Sequence, residues 1–285
     1  ISLGLVGSEM CIRDRLGDRP HIVDEWQLAP AIWDEVRHHV DDDSANKGQW
    51  ILTGSSTPLN ENRPNHSGAG RIGRIRMNPL TLHESGLSTG AVSLSGLFEH
   101  KFAAAKSEIS TQMLLDTVCR GGWPEAVALP VSDAQILIRE YMRLTLTESV
   151  PRQGKDPDVA RRLLDSLARN ISQAVTFKTL RKDMYGTEEN LDDFISERTI
   201  SGYTAMFENM FVIDPIKGWV PPARDPKRLQ TKARRYFADP SIAAAMLGMS
   251  PAALIGDWQT FGFLFENLCI LSLIHISEPT RPRLI

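Results

Sequence analysis

The stretch Arg19-Pro-His-Ile-Val-Asp-Glu-Trp-Gln27 constrains this chain more than any other: a short apolar run that ends in two acids. Such a run reads as a buried strand whose carboxylates emerge at its C-terminal edge. Leu28-Ala-Pro30 follows, and then Ile32, Trp33, Val36 and Val40 fall at helical spacing, with Pro30 suited to a first turn. After the polar turn around Asp41-Asp-Asp43 and Lys47-Gly48, Gln49-Trp-Ile-Leu-Thr-Gly-Ser-Ser56 reads as a second buried strand running into a Gly/Ser turn. Strand, helix and strand at this spacing predict a right-handed parallel crossover. They place this part of the chain in the α/β class, where ligands bind at the C-terminal strand edge.

Composition narrows the class further. Apolar residues make up 42% and charged residues 24%, an ordinary globular balance. A net charge of −3 and a pI near 6.2 exclude nucleic-acid binding by bulk charge and leave room only for a local basic face. Three cysteines without metal-site spacing point to a reducing compartment. No run of about 18 uncharged apolar residues exists to span a membrane. The expectation is a cytoplasmic protein without a membrane partner.

Both ends stand apart from the rest. Leu5-Val-Gly-Ser-Glu-Met-Cys-Ile-Arg-Asp14 can be encoded by DNA whose reverse complement translates as Leu271-Ser-Leu-Ile-His-Ile-Ser-Glu-Pro-Thr280. One DNA word on opposite strands at two natural termini is not a chance event, and the word resembles a transposase adapter used in sequencing libraries. No basic region and uninterrupted apolar core precede Glu9, so a signal peptide does not account for the start. Residues 1–15 and 271–285 are therefore expected to be adapter-derived, and the native stretch to be a piece of a longer gene.

Asp24-Glu25 at the end of an apolar strand is the Walker B arrangement, in which the Asp holds the Mg²⁺ of a nucleotide and the Glu polarises the attacking water. Thr53-Gly-Ser55 at the end of the next strand fits the place where P-loop ATPases put a polar sensor facing the γ-phosphate. Arg71, Arg74 and Arg76 follow a Gly-rich turn and precede an expected strand, Ile75-Arg-Met77. One of them is either an arginine finger for a neighbouring subunit's nucleotide or a solvated sheet-edge charge.

Four motifs, Ile22-Val-Asp-Glu-Trp-Gln27, Leu52-Thr-Gly-Ser55, Ser67-Gly-Ala-Gly-Arg71 and Met77-Asn-Pro-Leu-Thr-Leu-His-Glu84, occur here in the order and spacing of a prokaryotic AAA+-type ATPase family. Its members carry a C-terminal domain of unknown function numbered 4143. Arg120-Gly-Gly-Trp-Pro-Glu125, Arg235-Tyr-Phe-Ala-Asp-Pro240 and Gly262-Phe-Leu-Phe-Glu-Asn267 resemble later signatures of that family, so the resemblance covers essentially all of 16–270. It implies ATP and Mg²⁺ as cofactors. It also implies Asp24 as the Mg²⁺ ligand, Thr53 beside the nucleotide, and Glu25, Ser55 and Arg71 as catalytic groups, Arg71 matching the family's Gly-Arg position.

One departure weighs against this. The phosphate cradle Gly-x-x-x-x-Gly-Lys-[Ser/Thr], expected upstream of the Asp-Glu strand, occurs nowhere in the chain. Without its N–H donors and lysine the β- and γ-phosphates lose most of their binding groups. The expectation is that the parent protein hydrolyses ATP and that this chain binds it poorly.

The remaining sequence divides by pattern. Residues 16–95 form the partial P-loop NTPase sheet, and 96–155 a helical lid, with Ile136, Ile138, Tyr141, Met142 and Leu146 on one face. Arg152 to Pro157 reads as a linker. Residues 156–245 are expected to form a mostly α winged-helix domain: a helix over 159–168, a second capped by Thr176, a third from Ser196 through Phe207, and a wing from Phe211-Val-Ile-Asp-Pro215 and Trp219-Val-Pro-Pro222. Lys227, Arg228, Lys232, Arg234 and Arg235 form a basic cluster that either meets phosphates or is a solvated loop of a protein-contact domain. Residues 246–270 begin a truncated, nuclease-like domain by resemblance, in which Glu266 has no assigned partner. His38-His39 reads as a solvated helix face. His21 and Asp24 point to opposite faces of a strand and so do not suggest a metal pair.

Three functions compete. The lead is an ATPase working through Asp24 and Glu25, with a homo-oligomer as a natural partner arrangement. The second is a non-enzymatic DNA- or protein-binding regulator on a degenerate ATPase core. The third is a nuclease whose acids lie outside the chain.

Overall fold

The two apolar runs form β1 (His21–Val23) and β2 (Trp50–Leu52), which pair in parallel with Ile22 opposite Ile51. The chain between them folds as α1 (Ala31–Asp42), so the expected parallel crossover is present. Its apolar stripe explains why. Ile32 and Val36 pack with Val23 as a small core, joined by Trp26, Val40, Trp50, Leu52 and Ile72. The strands are less buried than their composition suggested. Ile22 is 65% exposed and Ile51 46%, because α1 covers one face of the pair and strand side chains alternate between faces. Nor is there a strand over Ile75–Met77. Those residues have no regular secondary structure, Ile75 is 81% exposed, and no ladder among the described residues takes up their backbone.

This computed structural model describes residues 20–55, 68–92, 94–101, 104–186, 195–218, 226 and 231–277. They fall into two compact units: Ile1–Arg76 with Asn209–Phe211, which holds the crossover, and Met77–Glu208 with Val212–Ile285.

The second unit is mostly helical. After the short α2 (Leu94–Phe98) comes α3 (Thr111–Arg120), capped by Ser110, whose Oγ accepts the Met113 N–H at 3.2 Å. It stops at Gly121, whose φ of 77° lies in the left-handed region that favours glycine. Next, α4 (Val131–Leu144) runs into a π turn over Thr145–Ser149 and a last helical stretch, Val150–Arg152. Asp156 caps α5 (Pro157–Arg169), and Thr176 caps α6 (Phe177–Tyr185) as its sequence position indicated. Then follow α7 (Glu197–Asn209) and an antiparallel pair, β3 (Ile213–Lys217) with β4 (Ala233–Phe237). Leu163, Leu164, Leu180, Ile200, Phe207 and Ile213 are fully buried. The expected wing tract Trp219–Pro222 lies outside the described residues, and the strand that pairs with β3 is Ala233–Phe237. Pro215 sits opposite Arg235, whose carbonyl turns outward to accept the Ser172 N–H at 3.1 Å. The pair is therefore not bonded across the ladder, and the missing proline donor costs it nothing. Short helices α8 (Pro240–Met246) and α9 (Pro251–Ile255) lead to α10 (Trp258–Ser277).

Four of the sequence signatures meet in this unit. Leu80 donates its N–H to the Gly122 carbonyl at 2.6 Å. The Gly122 N–H in turn donates to Asp239 Oδ2 at 2.8 Å. Asp239, with no exposed surface, also caps α8 by accepting from the Ser241 backbone at 2.8 Å and from the Ser241 hydroxyl. A Cβ on Gly122 would strike the Leu80 carbonyl, so glycine is required for this approach. On α10, the Asn267 amide bonds both backbone groups of Phe237, at 2.8 and 2.9 Å. Glu266, left without a partner by the sequence, accepts from Tyr236 at 2.7 Å and from Arg234 at 2.9 Å.

These contacts also reassign part of the basic cluster. Arg234 is paired with Glu266, while Arg235 donates to the Val175 carbonyl at 3.1 Å and lies over the Phe177 ring. Lys232 is exposed, and Lys227 and Arg228 lie outside the described residues.

Candidate functional site

The site forms where the two parallel strands end. Thr53 N–H donates to the Val23 carbonyl at 2.8 Å and Trp26 N–H to the Thr53 carbonyl at 3.2 Å, carrying the ladder one step past both strands. Asp24 and Thr53 are thus held side by side, and the Thr53 hydroxyl donates to Asp24 Oδ1. The Glu25 N–H donates to the same carboxylate oxygen at 3.1 Å.

Glu25 has φ 53° and ψ 41°, a left-handed conformation that costs a non-glycine residue about 1 kcal/mol. It turns the chain sharply into the 3-10 turn Trp26–Leu28 and so returns Gln27 toward Glu25. Gln27 Nε2 donates to Glu25 Oε2 and lies 3.4 Å from Ser55 Oγ, while Ser55 Oγ donates to Glu25 Oε2 at 3.3 Å. Asp24 and Ser55 are exposed, whereas Glu25 and Gln27 are half-buried.

Four of the five residues singled out in the sequence, Asp24, Glu25, Thr53 and Ser55, therefore share one strand edge. Arg71 does not join them. It pairs with Asp41 in the last turn of α1, and α1 runs back from the strand edge that carries Asp24 and Glu25. Twelve helical residues span about 18 Å. The hydrogen bond from the Arg71 guanidinium holds the Asp41 carboxyl below the usual range, with a smaller contribution from the Arg37 charge. Gln27 is the member that residue-by-residue reasoning left without a role. Its signal was present: an amide two positions beyond the second acid, on a turn that is otherwise apolar.

The oxygen groups at this edge, two carboxylates and two hydroxyls, are hard ligands that suit Mg²⁺, which characteristically takes one or two protein carboxylates and completes its shell with water and phosphate. Among the described residues, no group of three or more His, Cys, Asp or Glu side chains assembles around a metal position. A cavity of about 100 Å³ lies in the second unit, lined by Leu80, Thr117, Arg120, Gly121, Val127 and Leu268 among others. It is well below the roughly 300 Å³ at which small-molecule pockets begin. Among the described residues, no helix is long and apolar enough to cross a membrane.

Comparison with known proteins finds two matches along the chain. Residues 111–253 match the family model described as Domain of unknown function (DUF8612). The chain belongs to the DUF8612 family. Its signatures Arg120–Glu125 and Arg235–Pro240 fall inside that match, and the family is DUF8612 where the motifs resembled one with domain 4143. Residues 8–86 match the model of an AAA domain, an AAA-type P-loop ATPase-like family, and this span contains all five site residues. No curated protein and no solved structure matches this DUF8612 chain.

Proposed function

We propose that this DUF8612 chain carries the hydrolytic edge of a Mg²⁺-dependent AAA-type ATPase, with Asp24 and Glu25 as its Walker B pair. The observation that carries the reading is the Thr53–Asp24 hydrogen bond across two parallel strand ends, with Glu25 and Ser55 bonded beside it. Asp24 would hold Mg²⁺ of the nucleotide, and the ion supplies charge compensation to the phosphate oxygens. Thr53 fixes the direction of the Asp24 carboxylate. Glu25 accepts the proton side of a water lying beyond the strand edge and turns its oxygen toward the γ-phosphate, while Ser55, whose hydroxyl now donates to Glu25, would turn that donor to the phosphate once nucleotide is bound. Arg71, remote from its own chain's strand edge, serves a nucleotide held by a neighbouring copy, which implies a homo-oligomer.

A second reading rests on a different observation. Three helices, α5 to α7, followed by the antiparallel β3–β4 pair support a winged-helix domain that binds DNA or protein. The missing Gly-x-x-x-x-Gly-Lys-[Ser/Thr] motif would then mark a degenerate ATPase core. Arg234 and Arg235 are engaged within the domain, which favours a protein partner over nucleic acid.

The deciding experiment recovers the source locus through both ends of the reading frame and assays the restored product. A phosphate loop before Asp24, and hydrolysis abolished by Glu25→Gln with ATP binding kept, supports the ATPase. A frame without that loop, or turnover unchanged by Glu25→Gln, overturns it in favour of the binding domain.

A further inference from the structure

We propose that Gln27 is the positioning residue of this site: its side-chain amide fixes the direction of the Glu25 carboxylate by tying it to Ser55. The inference deepens the ATPase reading and rests on it for the role of Glu25. Its geometry stands independently.

A glutamate side chain has three rotatable bonds, and at a half-buried position nothing but its hydrogen bonds decides where the carboxylate points. Here Glu25 Oε2 is held from two sides, by Gln27 Nε2 and by Ser55 Oγ, and those two groups lie 3.4 Å from each other. The three side chains close a ring across two strand ends. An ionised carboxylate can only accept, so the amide must present its NH₂ to Glu25, and its oxygen must then point the other way. That oxygen, Gln27 Oε1, is buried with no hydrogen-bond partner, toward Gly54.

Gly54 makes the arrangement sterically feasible. A Cβ at this position would run into Gln27 Oε1 and lie 3.0 Å from its carbonyl carbon. The Gly54 backbone is not in the left-handed region, so nothing but the space taken by the Gln27 amide requires glycine there. An unbonded buried oxygen costs on the order of 1 kcal/mol or more, and the charge-assisted bond at the other end of the same amide offsets it. The left-handed Glu25 backbone delivers Gln27 to this position. Strain at Glu25, space at Gly54 and the orphaned oxygen of Gln27 are thus three features with one cause.

The test has two arms. In the chain itself, ¹⁵N,¹³C-labelled protein reports the Gln27 side-chain N–H pair by NMR, assigned by through-bond correlation to the Gln27 backbone and checked by its disappearance in Gln27→Leu. The pair should be widely split and slow to exchange, and both Glu25→Gln and Gly54→Ala should move it toward the values of a solvated glutamine. Gly54→Ala keeps every polar partner and removes only the space, so it decides the matter even if Gln27→Leu does not fold. A Gln27 pair unmoved by either change overturns the proposal, whether or not ATP is hydrolysed. In the restored reading frame, Gln27→Leu and Gln27→Glu should lower kcat roughly 10-fold or more while ATP affinity stays within about 2-fold, the split expected of lost orientation. An unchanged kcat also overturns the proposal. Turnover unaffected by Glu25→Gln, with the NMR coupling intact, would instead sink the ATPase reading and leave the Gln27 clamp standing.

Discussion

Asp239 and Gly122, 117 residues apart in sequence, are joined by a 2.8 Å hydrogen bond from the glycine backbone to a carboxylate with no exposed surface. Through the Gly122 carbonyl the same glycine holds Leu80, so one residue links the Asn78–Pro79–Leu80 segment, the end of α3 and the start of α8.

Removing the carboxylate should be costly. Asp239→Ala leaves the Gly122 and Ser241 N–H groups buried without an acceptor, an expected loss of roughly 2–4 kcal/mol. Gly122→Ala should cost a similar amount by driving a methyl into the Leu80 carbonyl. Urea denaturation followed by circular dichroism measures both. A loss under about 0.5 kcal/mol in either variant would refute the junction.

Asp239 should also leave a mark in the pH dependence of stability. Burial pushes its carboxyl above the ordinary value of 3.8, against the opposing hydrogen bonds from Ser241 and Gly122. A carboxyl whose folded pKa is raised stabilises the fold fully in acid and loses that contribution as pH rises through the folded pKa. The wild-type Tm, taken relative to Asp239→Asn, should therefore fall as pH climbs from below 3.8 toward neutrality. A relative Tm that rises over this range would show that the hydrogen bonds outweigh burial.

The Arg71–Asp41 pair behaves in the opposite sense. Arg71 holds the Asp41 carboxyl below its ordinary value, so the pair's contribution is present above that value and disappears as pH falls through the lowered one. Arg71→Ala should lower the Tm slightly at neutral pH and low salt, and have no effect in strong acid or in about 1 M salt. If the deficit persists in acid, Arg71 stabilises by packing and not by charge.

Replacing Asn267 tests how α10 docks on β4. Asn267→Leu keeps the volume but strips partners from both backbone groups of Phe237, with an expected loss of roughly 2–4 kcal/mol. Hydrogen exchange at the Phe237 amide should accelerate in parallel. Protection unchanged at that amide would place the helix elsewhere.

Much of the first unit was legible because local signals agreed. Pro30 with the 32–33–36–40 stripe predicts α1, and two apolar runs with acids and hydroxyls at their ends predict the strand edge. The capping threonine at 176 announced α6 in the same way. What stayed hidden depends on contacts distant in sequence. Nothing local to Arg234 or Arg235 says that Glu266 and Val175 engage them, so both looked like free cations. The same holds for Ala233–Phe237, whose charged start masks its pairing with β3. Ile75-Arg-Met77 erred the other way: alternation is a strand signal only when a neighbour supplies a ladder. The Gln27 amide was visible on its apolar turn, but its return to the strand edge depends on a left-handed residue, and glutamate gives no hint of adopting one.

The Asn267 amide presents a carbonyl and an N–H to Phe237 as a neighbouring strand would, and Ser172 does half of this for Arg235. Both outward backbone groups of Phe237 and the outward carbonyl of Arg235 are thereby spoken for by a helix and a loop of the same chain. A second molecule seeking to extend this two-stranded ribbon by strand addition finds three of the four outward groups of these two residues already taken, which leaves too few free partners for a ladder and protects a short hairpin from edge-to-edge self-association.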